Sequence, residues 1–162
     1  MGLREAMGTA VVARDTAETV GQVHGAVVDV ASGQIVALQV GKGHKARLVD
    51  WTSITGVGPD AAVVDSGASL RSAHGEREER VITGDVALLG GRVLTDRGDL
   101  LGALDDIEFD EATGRIETLV CAGVPVAVAR LRAIGGYAIV VAIEDAPGAS
   151  PAPARAEPAT GG

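Results

Sequence analysis

The residues able to do chemistry fall into three groups. Lys42, His44, Lys45 and Arg47 form the basic cluster. Asp105, Asp106, Glu108, Asp110 and Glu111 form an acidic strand and turn. Cys121 and the histidines His24, His44 and His74 are scattered between them. The basic stretch Val40-Gly-Lys-Gly-His-Lys has the look of a phosphate loop. It lacks the Gly-x-x-x-x-Gly-Lys-Ser/Thr spacing, and no helix follows to aim its N–H groups at phosphate. It reads as a solvated hairpin tip or as a patch for an acidic partner. It is the best interaction candidate, because it stands out against a net charge of −8.

Paired carboxylates can do acid–base work or hold a hard cation. On a strand, Asp106, Glu108 and Asp110 would share one face, spaced about 7 Å at each step. That is too spread for one ion without a second source of ligands, and the EF-hand glycine is absent from its sixth position. The simpler reading is a solvated acidic face; a cation or small ligand on this strand is the alternative. A zinc site needs about four converging ligands, which three scattered histidines and one cysteine do not supply. Cys121 falls in a strand with no motif-like histidine and reads as a buried thiol. Ser66 and Ser69 lie outside any nucleophile elbow. No catalytic set, metal or cofactor is expected, and the chain reads as non-enzymatic.

The elements that position these residues are written twice. Residues 20–40 and 101–121 align with a shift of 81 (Gly21 to Gly102). They share Gly21/Gly102, Asp29/Asp110, Ala31/Ala112, Gly33/Gly114, Ile35/Ile116 and Leu38/Leu119. Shared turn formers and apolar strand positions describe a repeated β-hairpin module. Asp can bond backbone amides just ahead of it, and Gly accepts positive φ at the end of such a loop. The recurrence therefore needs no catalysis to explain it. In the second copy the return strand alternates, with Ile116, Thr118 and Val120 on one face and Glu117, Leu119 and Cys121 on the other. In the first copy it is apolar on both faces and should be more buried. The outgoing strand breaks alternation between Leu104 and Ile107, which predicts a bulge. Pairs of short strands should follow each hairpin, at 46–49 and 61–65 and at 126–129 and 137–143.

Hydrophobic residues make up 46% of the 162 residues and aromatics only 2%, so the core must be aliphatic. Val and Ile favour strands, and 23 glycines supply turns. Each copy has roughly 60–70 residues, a size at which one core is marginal, so the copies should pack on each other or pair between chains. The expected division is a first domain at 5–66, a linker at 67–84, a second domain at 85–144 and a disordered tail at 145–162. The charged run Glu76-Arg-Glu-Glu-Arg80 marks the linker as solvated or as a short exposed helical turn. The acidic balance disfavours direct nucleic-acid or anionic-lipid contact. The single cysteine suits a reducing compartment. No signal peptide or spanning run is evident, so a soluble, cytoplasmic protein is expected.

The residues resemble the PRC-barrel domain family, named for the cytoplasmic domain of the photosynthetic reaction centre H subunit. The second copy is similar to the front of the family pattern: Gly90-Gly-Arg-Val93, Asp96-Arg-Gly98, Gly102-Ala-Leu-Asp-Asp106 and Asp110-Glu-Ala-Thr-Gly114. The first copy is similar to the back: Leu48-Val-Asp-Trp51-Thr-Ser-Ile54, then Val57-Gly-Pro-Asp-Ala-Ala-Val-Val64. Gly25 stands in place of Asp106 in the first copy, and the second lacks the Trp. The resemblance implies an all-β fold, two small barrels in tandem with a pseudo-two-fold relation. It also implies an interaction module, which occurs as a stand-alone domain in bacteria, in a ribosome-maturation factor and beside membrane electron-transfer complexes.

The expected function is a non-enzymatic adaptor or scaffold that binds another protein, or itself, through barrel surfaces and edge strands. Trp51 is an aromatic anchor for a partner or a packing residue at the barrel rim. A ribosome-assembly or nucleic-acid-linked role is one alternative, and ligand or metal binding on the acidic strand is the other. Homo-oligomerisation and peripheral association with a membrane complex fit the same reading.

Overall fold

The structure, a computed structural model, describes residues 1–86 and 88–143. The tail expected at 145–162 lies outside them. The repeated hairpins seed two six-stranded sheets. The first contains β1 (Ala10–Ala13), β2 (Thr19–Asp29), β3 (Gln34–Val40), β4 (Arg47–Asp50), β5 (Ile54–Val57) and β6 (Ala61–Val64), in the order β4-β3-β2-β1-β6-β5. The second contains β7 (Arg92–Thr95), β8 (Leu100–Phe109), β9 (Ile116–Cys121), β10 (Val124–Ala127), β11 (Leu131–Ile134) and β12 (Ile139–Val141), in the same order, β10-β9-β8-β7-β12-β11. The class is all-β, in tandem. Pairing is antiparallel except where β1 meets β6 and β7 meets β12. Neither sheet closes into a complete barrel. The end strands β4 and β5, four residues each, are joined by a 3-10 turn at Trp51–Ser53 and share no ladder; Val128–Arg130 does the same for β10 and β11.

The hairpin turns form as their residues dictate. Gly33 and Gly114 take φ of 68° and 77°. Their N–H groups donate to the Asp29 and Asp110 carbonyls at 2.9 and 2.8 Å. Asp110 Oδ1 accepts the Ala112 N–H at 2.8 Å, and Asp29 Oδ2 accepts the Ser32 hydroxyl at 2.7 Å. The bulge in β8 lies between Leu104 and Asp106. A second, at Glu108/Phe109, overturns the simple alternation expected for β9. It turns Ile116 inward together with Leu119 and Cys121, so the buried set crosses the two expected faces.

The copies meet at their hairpin turns. Ile35 N–H donates to the Gly114 carbonyl at 2.8 Å, and Ile116 N–H donates to the Gly33 carbonyl at 2.9 Å. The shift of 81 that relates the copies exchanges these two bonds, so a pseudo-two-fold axis passes through the Gln34–Arg115 bridge. One core runs through both sheets, joining Val11, Ile35 and Leu38 to Leu104, Phe109 and Ile116. Burial of this aliphatic surface is the main driving force for the pairing.

Two α-helices complete the described residues. A single turn, α1 (Leu3–Ala6), packs on β8 of the second copy, with Leu3 and Ala6 buried. The second helix, α2 (Gly75–Thr83), lies in the segment expected as a linker and packs on β2. With Ala73, its Val81 and Ile82 cover Val27, Ala37 and Leu48 on the back of the first sheet. That cover is why β3 is buried on both faces. The counterparts in the second copy are Glu108, Thr118 and Pro125, none of them fully buried. Among the described residues no helix is long and apolar enough to cross a membrane.

Candidate functional site

The basic cluster sits on the connection between β3 and β4. A 3-10 turn at Gly43–Lys45 carries it, anchored by buried Ala46, whose N–H donates to the Gly43 carbonyl at 3.1 Å. Lys42, His44, Lys45 and Arg47 are exposed. Arg47 Nη1 donates to the Ala46 carbonyl at 3.0 Å, and no ion pair involves these four among the described residues. They form an open cationic loop at one end of the first sheet.

The acidic residues are brought together along β8, but they face different tasks. Asp106 Oδ1 accepts the Arg4 N–H and the Ile107 N–H, both at 2.8 Å, which fastens α1 to the second copy. Asp105 Oδ2 accepts the Gly123 N–H at 2.9 Å and holds the β9–β10 turn. Asp110 closes its own hairpin, and Glu108 is exposed. Asp106 and Glu108 keep the face that the spacing implied, opposite buried Ile107 and Phe109. No three His, Cys, Asp or Glu side chains converge to hold an ion among the described residues.

Trp51 is used inside the molecule. Its ring meets Phe109 edge-to-face, centroids 6.0 Å apart and planes at 90°. It also lies over Gly114, where a Cβ would come within 2.9 Å of the ring. Val128, which opens the matching 3-10 turn, lies over Gly33 in the same way. Trp51 thus packs one copy on the other. Cys121 is buried in β9, and burial, then the nearby Asp105 charge, push its thiol pKa up. That keeps it protonated and unreactive.

One constellation escaped the sequence reading. Arg71 donates to Glu78 through both Nη atoms, at 2.8 and 2.9 Å, and to Asp50 Oδ1 at 2.7 Å. The Arg71 bonds hold the Glu78 carboxyl down to about 2, against the opposing effect of burial, and the His74 N–H adds to the effect at 2.7 Å. The same partners raise Arg71 above its ordinary value. The group ties α2 to β4, beside two backbone bonds of 2.8 Å between Leu48 and Arg71. Its signal in the sequence was Glu78 inside a charged run, but a partner seven positions upstream and an aspartate on another strand are joined only by the fold.

A cavity of about 430 Å³ opens beneath α2. One wall is the outer edge of β2 and its turn, residues 26–31; the others come from α2, Val86, Leu88 and Ile134.

No curated protein matches the chain at a significant level. The second sheet repeats the strand order of the first, and it is the first that carries a family match: residues 1–71, ending at the arginine that closes the edge of β4, match the PRC-barrel domain.

Proposed function

We propose that the protein is a non-enzymatic adaptor or scaffold that binds another protein through the surfaces of its paired sheets. PRC-barrel domains are protein-interaction modules, and residues 1–71 match that family. The observation that carries the reading is how the chemically capable side chains are spent. Asp105, Asp106, Asp110, Asp50, Glu78 and Arg71 hold backbone turns and helices in place, and Cys121 is buried. The loop of Lys42, His44, Lys45 and Arg47 stays exposed on a chain of net charge −8. An exposed cationic loop on an acidic body steers an acidic partner by charge complementarity.

The test is affinity capture from native lysate with the intact chain and with the Lys42→Glu/Lys45→Glu variant. A stoichiometric protein retained by the former and lost by the latter supports the reading. Capture of nothing by the intact chain, across salt concentrations, removes it.

A further inference from the structure

The second half of β8 has two edges. One pairs with β9. On the other, Met1 and Gly2 add as a short antiparallel strand. Phe109 N–H donates to the Met1 carbonyl at 2.8 Å, and Met1 N donates to the Phe109 carbonyl at 3.0 Å. The pseudo-two-fold mate of this edge is the second half of β2, where Val28 stands for Phe109. Val28 pairs with Ile35 as Phe109 pairs with Ile116. Both isoleucine N–H groups bond across the copy interface and not within their hairpins. Val28 therefore turns its N–H and C=O outward, away from β3, as Phe109 does. Outward from Val28 lies the cavity beneath α2.

Nothing in the described chain fills that edge. The lead-in segments of the two copies differ by 82 positions (Gly8 to Gly90, whose N–H groups donate to the Val23 carbonyl in β2 and the Leu104 carbonyl in β8, at 2.8 and 2.7 Å). The mates of Met1–Arg4 are thus residues 83–86. These are taken up by the end of α2, where Gly84 N–H donates to the Val81 carbonyl at 3.2 Å and Val86 N–H to the Arg80 carbonyl at 3.1 Å. Val28 is only 6% exposed, and no bond reaches it from outside its sheet among the described residues. Buried backbone groups without partners are costly, and an added strand satisfies them. Val81, Val86, Leu88 and Ile134 offer the strand's side chains apolar walls. Of the charged side chains that line the cavity, Asp29 and Arg77 pair with each other at 3.7 Å, Glu76 is exposed, and half-buried Arg80 has no ion pair among the described residues.

We infer that the groove beneath α2 binds an extended segment of a partner protein, apolar and carrying a carboxylate, as an added strand on the edge of β2. It would sit there as Met1–Gly2 sits on β8, with its carboxylate against Arg80. This rests on the adaptor reading and gives it a site separate from the cationic loop.

The test titrates the full chain with the blocked peptide acetyl-Met-Gly-Leu-Glu-amide, the seated sequence followed by a glutamate. The Val28 amide is followed by ¹⁵N NMR. The expected result is a saturable shift at Val28. N-methylation of the peptide's methionine amide removes one backbone bond and should weaken binding about tenfold. This comparison leaves the protein unaltered, so folding does not enter it. Arg80→Ala should weaken the glutamate peptide and spare its glutamine version. No saturable shift at Val28, or equal binding of the methylated peptide, overturns the inference. A partner captured from lysate and displaced by excess peptide supports it. If capture survives saturating peptide, the adaptor reading stands and the groove is not its site.

Discussion

A Cβ on Gly114 would lie 2.8 Å from the Ile35 carbonyl oxygen and 2.9 Å from the Trp51 ring, whereas on Gly33 it would meet only a Val128 methyl at 3.2 Å. Both glycines have positive φ. Alanine at either site should cost roughly 1–3 kcal/mol in backbone strain. Gly114→Ala should cost clearly more than Gly33→Ala, because a carbonyl and an indole cannot move aside as a methyl can. Urea unfolding of the two variants measures this, and equal midpoints would refute it. A second residue-scale prediction concerns Glu78. Its folded pKa is about 2, below the ordinary 4.5. In that window the unfolded state binds more protons than the folded one. The stabilisation is therefore complete above pH 4.5 and fades as pH falls toward 2. Glu78→Gln should flatten this part of the stability–pH curve, read by thermal unfolding across the acid range. At this scale the sequence shows residue types but not partners. The turn roles of Asp29, Asp110, Gly33 and Gly114 were legible because they are local. Those of Trp51, Arg71 and Asp106 each depend on at least one residue 21–102 positions away.

Among the elements, the outer edge strands matter most for association. The outer edge of β4 is closed by its two backbone bonds between Leu48 and Arg71. In β10 the corresponding rung is Pro125, opposite Val120 as Leu48 is opposite Gln39. Proline has no N–H to offer, so this edge resists pairing with another chain. At these two edges strand addition is thus closed in one and blunted in the other. Pro125→Val restores a donor beside Val124, which is already 59% exposed. It should give a mass that rises with concentration in light scattering; an unchanged monomer-like profile would contradict the assignment. The hairpins were legible because two copies said the same thing. β5 and β11 were missed because four-residue edge strands such as Ile54-Thr-Gly-Val and Leu131-Arg-Ala-Ile carry too little alternation. The helix α2 read as a solvated run because only Val81 and Ile82 betray a buried face.

Over the whole molecule, the two sheets share one core about a pseudo-two-fold axis. Val28, Ile35 and Leu38 belong to it as fully as Phe109 and Ile116 do. A fragment of residues 1–74 would expose that surface. It should be recovered as a dimer in which a second copy replaces the missing half, or as an unfolded chain. Sedimentation velocity decides between these, and a folded monomer would refute the shared core. The groove beneath α2 belongs to this scale, since its walls come from β2, α2 and the second copy. No window of sequence contains it. It becomes visible only when the two copies are superposed and one edge is found filled where the other is open.

The bonds between Met1 and Phe109 also have a consequence in time. Met1 and Gly2 cannot take their place until residues 107–109 have been synthesised. At ordinary translation rates that gap of 108 positions lasts on the order of 5–20 s. Through that interval the leading segment and the apolar end of the first hairpin have no native partner. Neighbouring nascent chains on one messenger expose the same half-built surface. Their own second copy must arrive before a neighbour's does, so the order of synthesis competes with exchange between molecules.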